Sequence, residues 1–121
     1  MWRSYLKIIT LIGSSKFKRR FNEIGCVLEK KGYLVLMMAF FSHSDNMPIS
    51  DEERKILETV DRKRIDISDE IFVVNDFYEG SPYYGESTKK ELDYAVSLGK
   101  KIHFLHERKG DEYEMCDLSK I

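Results

Sequence analysis

The stretch Leu6-Lys7-Ile8-Ile9-Thr10-Leu11-Ile12, followed directly by Gly13-Ser14-Ser15, decides the fold. Its first seven residues are mostly apolar and rich in β-branched side chains, which is typical of a buried β-strand. The glycine and the two serines predict a tight turn after that strand. Across residues 16–31 apolar side chains recur at helical spacing between charged ones, so a helix is predicted directly after the turn.

The same alternation of strand and helix continues along the chain. The predicted elements are a strand at residues 33–39, a helix capped by Ser50, a strand at residues 71–74, a helix capped by Ser87 or Thr88, and a strand at residues 101–105. The strands are apolar almost throughout, which indicates burial on both faces of a parallel sheet. The predicted fold class is therefore α/β, flavodoxin-like or Rossmann-like. We expect one domain over residues 1–121, with an open, mostly parallel sheet of four to five strands and helices on both faces.

Composition argues against several classes of protein. Lys and Arg number 20 against 21 Asp and Glu, a net charge of -1 that provides no electrostatic footprint for nucleic acid or a membrane surface. The longest apolar run, residues 33–41, is shorter than the roughly twenty residues that span a bilayer. The basic cluster follows the first apolar stretch, unlike a signal peptide. Cys26 and Cys116 form no metal or redox motif, so reduced thiols in a cytoplasmic protein are expected.

Ligands of open parallel sheets bind outside the carboxyl ends of the strands. Two predicted loops lie there, residues 13–15 and 75–86, and each leads into a helix N-terminus that attracts anions. The first loop could hold a phosphate or a sugar edge, although an ordinary serine-capped turn has the same sequence. With Ser87 as the cap, Glu91 stands about one turn inside its helix and points back toward the loops. The helix dipole there favours the ionised carboxylate that a nucleophile requires. A glutamate at this position can also have a purely structural role, because the same dipole lets it stabilise the helix.

Other side chains have two interpretations each. Tyr78, Tyr83 and Tyr84 could stack on a base or a sugar, or pack a lid or a dimer contact. The basic residues 16–20 could draw a phosphate toward the first loop, or form the solvated side of a helix. His43 has no visible partner in the sequence, so a surface position is expected.

Three segments together resemble a known family. They are Asp69-Glu70-Ile71-Phe72-Val73-Val74-Asn75, then Gly85-Glu86-Ser87-Thr88-Lys89-Lys90-Glu91-Leu92-Asp93-Tyr94-Ala95, then Gly99-Lys100-Lys101. This pattern resembles the nucleoside 2-deoxyribosyltransferase superfamily, and more closely its small bacterial and phage branch. The opening Ile12-Gly13-Ser14 is similar too, and the likeness extends over about residues 7–105.

The resemblance implies a glycosyl-transfer enzyme that cleaves the N-glycosidic bond of a (deoxy)nucleoside or its 5′-monophosphate. Glu91 matches the nucleophile that attacks the anomeric carbon and holds the sugar until another base or water takes it. Asp61 is the best match to an assisting aspartate, with Asp66 as second choice. The expected substrate-binding residues are Gly13, Ser14, Ser15, Asp66, Asp69, Asn75, Tyr84, Gly85, Glu86 and Ser87. No cofactor or metal is implied, and the expected partners are a small nucleoside or nucleotide and further copies of the chain, as a homodimer or larger homo-oligomer.

Alternatives remain open at this stage. Ser14 and the basic first helix favour a monophosphate and hydrolysis, hence a nucleotide N-glycosidase rather than a deoxyribosyltransferase. Asp93 stands where the family motif has glycine, Lys90 precedes Glu91, and the first strand lacks the family's aromatic residue. These differences motivate a non-catalytic nucleotide-binding or sensing module on the same fold. A flavodoxin-like or receiver-type domain is the third alternative.

Overall fold

The computed structural model describes residues 6–121 and alternates strands with helices as the sequence predicts. The elements are β1 (Ile8–Gly13), α1 (Lys18–Lys30), β2 (Leu34–Leu36), α2 (Asp51–Ile67), β3 (Glu70–Val74), β4 (Phe77–Tyr78), β5 (Ser81–Pro82), α3 (Glu86–Ser97), β6 (Lys101–Phe104), β7 (His106–Lys109) and β8 (Glu112–Met115). Short 3-10 turns at Ser15–Phe17 and Leu118–Lys120 complete the described chain.

The main sheet has four parallel strands in the order β2-β1-β3-β6, which confirms the predicted α/β fold class. The chain runs from β1 to β2 on one side and then crosses to β3 on the other side of β1. This reversal of strand order makes a crevice at the carboxyl ends of β1 and β3, where ligands of such sheets bind.

Helices cover both faces of the sheet, as the apolar strands predicted. Alternate residues of a strand point to opposite faces, and the two buried clusters follow that rule. On one face α1 packs through Phe21, Ile24 and Leu28 against Ile9, Leu11, Phe72 and Val74. On the other face α2 and α3 pack through Ile65, Leu92 and Ala95 against Ile12, Ile71 and Val73.

Two local predictions differ from the structure, and the tail forms a separate hairpin. The strand expected at residues 33–39 is only Leu34–Leu36, because β2 is an edge strand that is exposed or half-buried instead of enclosed on both faces. The loop at residues 75–86 contains the small hairpin of β4 and β5. The tail pairs β7 with β8 apart from the main sheet, which has four strands, within the expected range of four to five.

The helix starts agree with the sequence at α2 and differ at α3. Ser50 caps α2 in a full capping box with Glu53, as its position before an acidic first turn predicted. Helix α3 instead begins at Glu86 with Gly85 at the cap position and no side-chain cap, so Ser87 lies inside the first turn. Cys26 and Cys116 are both free thiols. Within residues 6–121 no helix has the length and apolar character needed to cross a bilayer.

Candidate active site

A cleft of about 470 Å³ opens at the carboxyl end of β1. Its walls come from the loop after β1, from residues 38–49, from one side of α2, and from the first turns of α3. The volume lies within the usual range for small-molecule sites. The cleft occupies the place that the strand order predicts for a ligand.

Gly13 lets the floor of this cleft form. A Cβ built on Gly13 would lie 2.8 Å from the Val74 carbonyl oxygen, closer than real Cβ contacts come. The close approach of the end of β1 to the backbone of β3 therefore requires glycine at this position. Directly after it, the Ser14 hydroxyl accepts a hydrogen bond from the Lys16 backbone N–H at 3.2 Å and caps a short 3-10 turn. The predicted loop of Gly13, Ser14 and Ser15 accordingly lines the cleft.

His43 is exposed, as the sequence predicts, but it has a partner, because it lies against this first loop. Its Nδ1 is hydrogen-bonded to the Ser15 hydroxyl, and its ring lines the cleft. Neighbouring serines secure the contact, since the Ser44 hydroxyl donates to the Ser15 carbonyl at 2.8 Å and Ser42 Oγ lies 3.2 Å from Ser15 Oγ. The polar loop at residues 42–48 was the only signal in the sequence for this wall.

Glu91 and Asp61 line the same cleft from α3 and α2. Asp61 is half-buried and accepts a hydrogen bond from the Arg64 guanidinium at 2.7 Å. Burial raises the pKa of Asp61 above its ordinary value, while the Arg64 charge opposes that rise. Burial and then the Asp61 charge raise the pKa of Glu91 to about 8, again against the pull of Arg64. The two carboxyl groups are thus electrostatically coupled, and burial together with their mutual repulsion favours one shared proton on the pair at neutral pH.

This protonation differs from the sequence expectation that the helix dipole keeps Glu91 ionised. The dipole acts within the first turn of a helix. Because α3 begins at Glu86, Glu91 lies beyond that turn. Desolvation and the neighbouring Asp61 charge therefore outweigh it.

Gly85, Glu86 and Ser87 also line the cleft as predicted, but four of the expected substrate-binding residues do not. Asp66 accepts a hydrogen bond from the Tyr94 hydroxyl. Asp69 accepts from the Ile8 backbone N–H at 2.8 Å, at the amino ends of the strands and so at the far edge of the sheet. Asn75 exchanges two 2.9 Å hydrogen bonds with the backbone of His106, and Tyr84 packs against the core under α3.

The tyrosine loop contributes Tyr83 to the cleft instead of Tyr84. The Tyr83 ring lies 5.2 Å from that of Tyr78, and Lys16 Nζ lies 5.4 Å and 5.6 Å from the centroids of Tyr78 and Tyr83. Lys16 is the one residue of the basic run 16–20 that lines the cleft within the described chain.

Four further cationic side chains line the cleft, and the sequence analysis did not predict them as part of the site. They are Arg54, Arg62 and Arg64 on α2, and they are joined by Lys90, which the sequence singled out only as a departure from the family motif. The spacing along α2 could have placed this helix face at the cleft. Arg54, Glu58 and Asp61 lie on the same face of the helix as the buried Ile65. Asp93, two residues beyond Glu91, is exposed and pairs with Lys89 at 3.0 Å, away from the cleft lining. No group of three metal-ligating side chains occurs within residues 6–121.

The fold and the cleft define an α/β protein with an open cleft at the switch point of a parallel sheet. Among the solved structures that match it is a 2-deoxyribosyltransferase from Leishmania mexicana. That match has a TM-score of 0.53 and 20% sequence identity, covering 82% of this chain and 63% of that enzyme, so the two share the fold. The described chain therefore spans less than two thirds of the length of its structural relative. No protein-family model and no curated protein matches the sequence.

Proposed function

We propose that the chain is a nucleoside 2-deoxyribosyltransferase-like enzyme that cleaves the N-glycosidic bond of a (deoxy)nucleoside or its 5′-monophosphate. The observation that carries this proposal is the pairing of Glu91 and Asp61 in one cleft, with the pKa of Glu91 raised to about 8. Two coupled carboxyl groups that share one proton have the composition that a retaining glycosyl transfer needs. The shared fold with a 2-deoxyribosyltransferase supports the same reaction class.

In the proposed first step a Glu91 carboxylate oxygen bonds to C1′ and the C1′–N bond breaks. The base leaves with the electron pair of that bond and takes a proton from the carboxyl pair. Glu91 must be ionised for attack and Asp61 must be protonated for donation, so the shared proton lies on Asp61 during this step. The raised pKa of Asp61 makes it a suitable proton carrier.

In the second step the glycosyl ester on Glu91 is released. Water or a second base attacks C1′, the C1′–Oε bond breaks, and the carboxylate of Glu91 is regenerated. Asp61 accepts the proton of the attacking water, or the N–H proton of the attacking base, so the pair returns to its starting state. Water as acceptor gives hydrolysis, and a base gives transfer.

A phosphate on the substrate would lie at the first loop. Ser14 and Ser15 supply hydroxyls there, and the Lys16 ammonium supplies a positive charge at the same rim of the cleft. Tyr83 offers an aromatic face for a base or sugar. We therefore propose a 5′-monophosphate as the preferred substrate, in a cytoplasmic, homo-oligomeric enzyme.

The test is release of free base from deoxynucleosides and from their 5′-monophosphates, measured by chromatography. We expect release from the monophosphates, and loss of that release in Glu91→Gln. Asp93→Asn is the matched control, because Asp93 lies on the same helix outside the cleft. Intact-mass detection of a pentosyl adduct on the wild-type chain, absent in Glu91→Gln, would identify the nucleophile.

The experiment also distinguishes the binding-module alternative. A nucleotide that raises the melting temperature without any base release, equally in wild type and Glu91→Gln, would select a sensing module and overturn the catalytic proposal. Absence of both release and stabilisation with every nucleoside and nucleotide would overturn both.

A further inference from the structure

One face of α2 supplies a row of four side chains to the wall of the cleft. Arg54, Leu57, Glu58 and Asp61 recur at steps of three and four residues, and all four line the cleft. The row continues beyond Asp61 to Ile65, which is 0% exposed, so the core closes the cleft in that direction. The open part of the row therefore runs from Asp61 toward the amino end of α2.

Two charged side chains of this row, Arg54 and Glu58, are available to a ligand. They lie four residues apart on the helix, a spacing at which such side chains commonly pair. Within residues 6–121, however, neither the Arg54 guanidinium nor the Glu58 carboxylate forms a hydrogen bond or an ion pair. Burial is the main cause of the raised pKa of Asp61, and the negative charge of Glu58 adds to it. The row thus offers a hydrogen-bond acceptor close to Asp61 and a donor farther along the helix.

The base of the substrate lies beside this row, a step that rests on the proposed function. In the proposed reaction C1′ lies between Glu91 and Asp61, and the leaving base takes its proton from Asp61, so the base is next to α2. Ile49 and Leu57 are half-buried and line the cleft, where they provide apolar surface for a ring. The outer edge of the base then faces the two charged side chains of the row.

The spacing of the row fits a base with two rings. At a rise of about 1.5 Å per residue, Glu58 lies about 4.5 Å and Arg54 about 10.5 Å from Asp61 along the helix axis. A pyrimidine ring that accepts the proton of Asp61 ends near Glu58. A fused purine extends one ring farther, within reach of the long Arg54 side chain.

The order of the two charges distinguishes between the purines. Guanine presents N–H groups at N1 and N2 beside the carbonyl oxygen O6, whereas adenine presents an acceptor at N1 beside the N–H groups at N6. The near carboxylate of Glu58 and the far guanidinium of Arg54 are therefore complementary to the edge of guanine. With adenine, the carboxylate would face an acceptor and the guanidinium would face a donor.

We propose that the cleft selects a guanine nucleotide, in which Glu58 accepts from the N1 and N2 N–H groups of the base and the Arg54 guanidinium donates to O6. Base contacts of this kind discriminate against a wrong base by about five- to 150-fold. Arg54 and Glu58 are then specificity-determining residues, and neither takes part in breaking the glycosidic bond.

The test is kcat/KM for base release from the 5′-monophosphates of deoxyguanosine, deoxyadenosine, deoxycytidine and thymidine. We expect wild type to prefer the guanine nucleotide over each of the others at least about tenfold. Glu58→Met and Arg54→Met each remove one charged group and keep an unbranched side chain, and each should reduce that preference to about threefold or less. Glu52→Met and Lys55→Met, on the exposed part of α2 outside the cleft lining, are the matched controls and should retain it.

Exchange of the two charges tests the order of donor and acceptor. Arg54→Glu combined with Glu58→Arg puts the donor close to Asp61 and the acceptor beyond it, which matches the N1 and N6 groups of adenine. We expect the preference to move to the adenine nucleotide in this double variant. Circular dichroism checks that each variant is folded, and a folded double variant that still prefers the guanine nucleotide would overturn the proposal.

Nucleotide binding to Glu91→Gln, measured by calorimetry, separates this inference from the proposed reaction. Tighter binding of the guanine nucleotide, without base release by wild type, would support the base assignment and overturn the reaction. Release of all four bases at equal rates, a preference for another base, or a guanine preference that survives both methionine substitutions would overturn the base assignment and leave the reaction standing.

Discussion

The negative charge of Asp61 on α2 raises the pKa of Glu91 on α3, although the two residues lie 30 positions apart in the chain. Burial is the larger cause of the shift, and Arg64 opposes both effects. The two helices thus bring together a pair of carboxyl groups that keeps one proton at neutral pH. The first three predictions below concern that proton.

We predict that kcat/KM for base release falls above about pH 8. The singly protonated pair is the form that supplies both a nucleophile and a proton donor, and its last proton leaves with the raised pKa of Glu91, about 8. Above that value the rate is expected to fall about tenfold per pH unit. A rate that instead rises through pH 8 would mean that ionised Glu91 acts without a proton donor beside it.

Substitutions of the two neighbours should move the pKa of Glu91 in opposite directions. Asp61→Asn removes a negative charge and should lower the pKa, whereas Arg64→Gln removes a positive charge and should raise it. Carbon-13 NMR titration of the Glu91 carboxyl group measures both shifts. Asp93→Asn, outside the cleft, should leave the titration unchanged, and a shift of equal sign in the first two variants would contradict the electrostatic coupling.

Protein stability should fall as pH rises from about 5 to 9. The folded pKa of Glu91 is raised above its unfolded value, so the native state binds more protons in that interval and loses stability as they leave. We expect a decrease in the free energy of unfolding on the order of 2–4 kcal/mol from this group. Urea unfolding across the pH range measures it.

Glu91→Gln isolates that contribution. The neutral amide should unfold at a higher denaturant concentration than wild type near pH 9, with a much smaller difference near pH 5. If the two proteins show the same pH dependence of unfolding, ionisation of Glu91 carries no stability cost and the raised pKa is contradicted.

Gly13→Ala should destabilise the fold by about 2–4 kcal/mol, because the new methyl group meets the Val74 carbonyl oxygen at 2.8 Å. Gly32→Ala is the matched control, since Gly32 also has a positive φ but has no other atom within 4 Å of the Cβ position. That control measures backbone conformation alone and should cost about 1 kcal/mol. Chemical denaturation compares the two, and equal losses would show that the contact with β3 is unimportant.

The order of elements was predictable because it depends on local patterns. The apolar run of β1 and the helical spacing after Ser50 each decide one element, and alternation then decides the parallel sheet. The extent of β2 was not predictable, since residues 37–39 are as apolar as a strand but lie beyond the register with β1. Whether a strand is central or at an edge depends on its neighbours and leaves little trace in its own residues.

Some residues of the candidate site were likewise predictable from local sequence, and others were not. The loop after β1 and the position of Glu91 follow from local sequence, and the cleft includes them. His43 enters through hydrogen bonds to Ser15 from 28 residues away, which no local pattern reveals. Asp69 was wrongly expected in the site because it is next to a predicted strand. It precedes β3, so it lies at the amino ends of the parallel strands, on the edge of the sheet opposite the cleft.

The brevity of β2 has a consequence for the behaviour of the protein at high concentration. An outer strand with unpaired backbone groups is a template on which other chains can add strands and aggregate. Here β2 pairs with β1 over only Leu34–Leu36, so the outward backbone ladder is three residues long. So short an edge gives a foreign strand few hydrogen bonds to share, and it protects this end of the sheet from growth into fibrils.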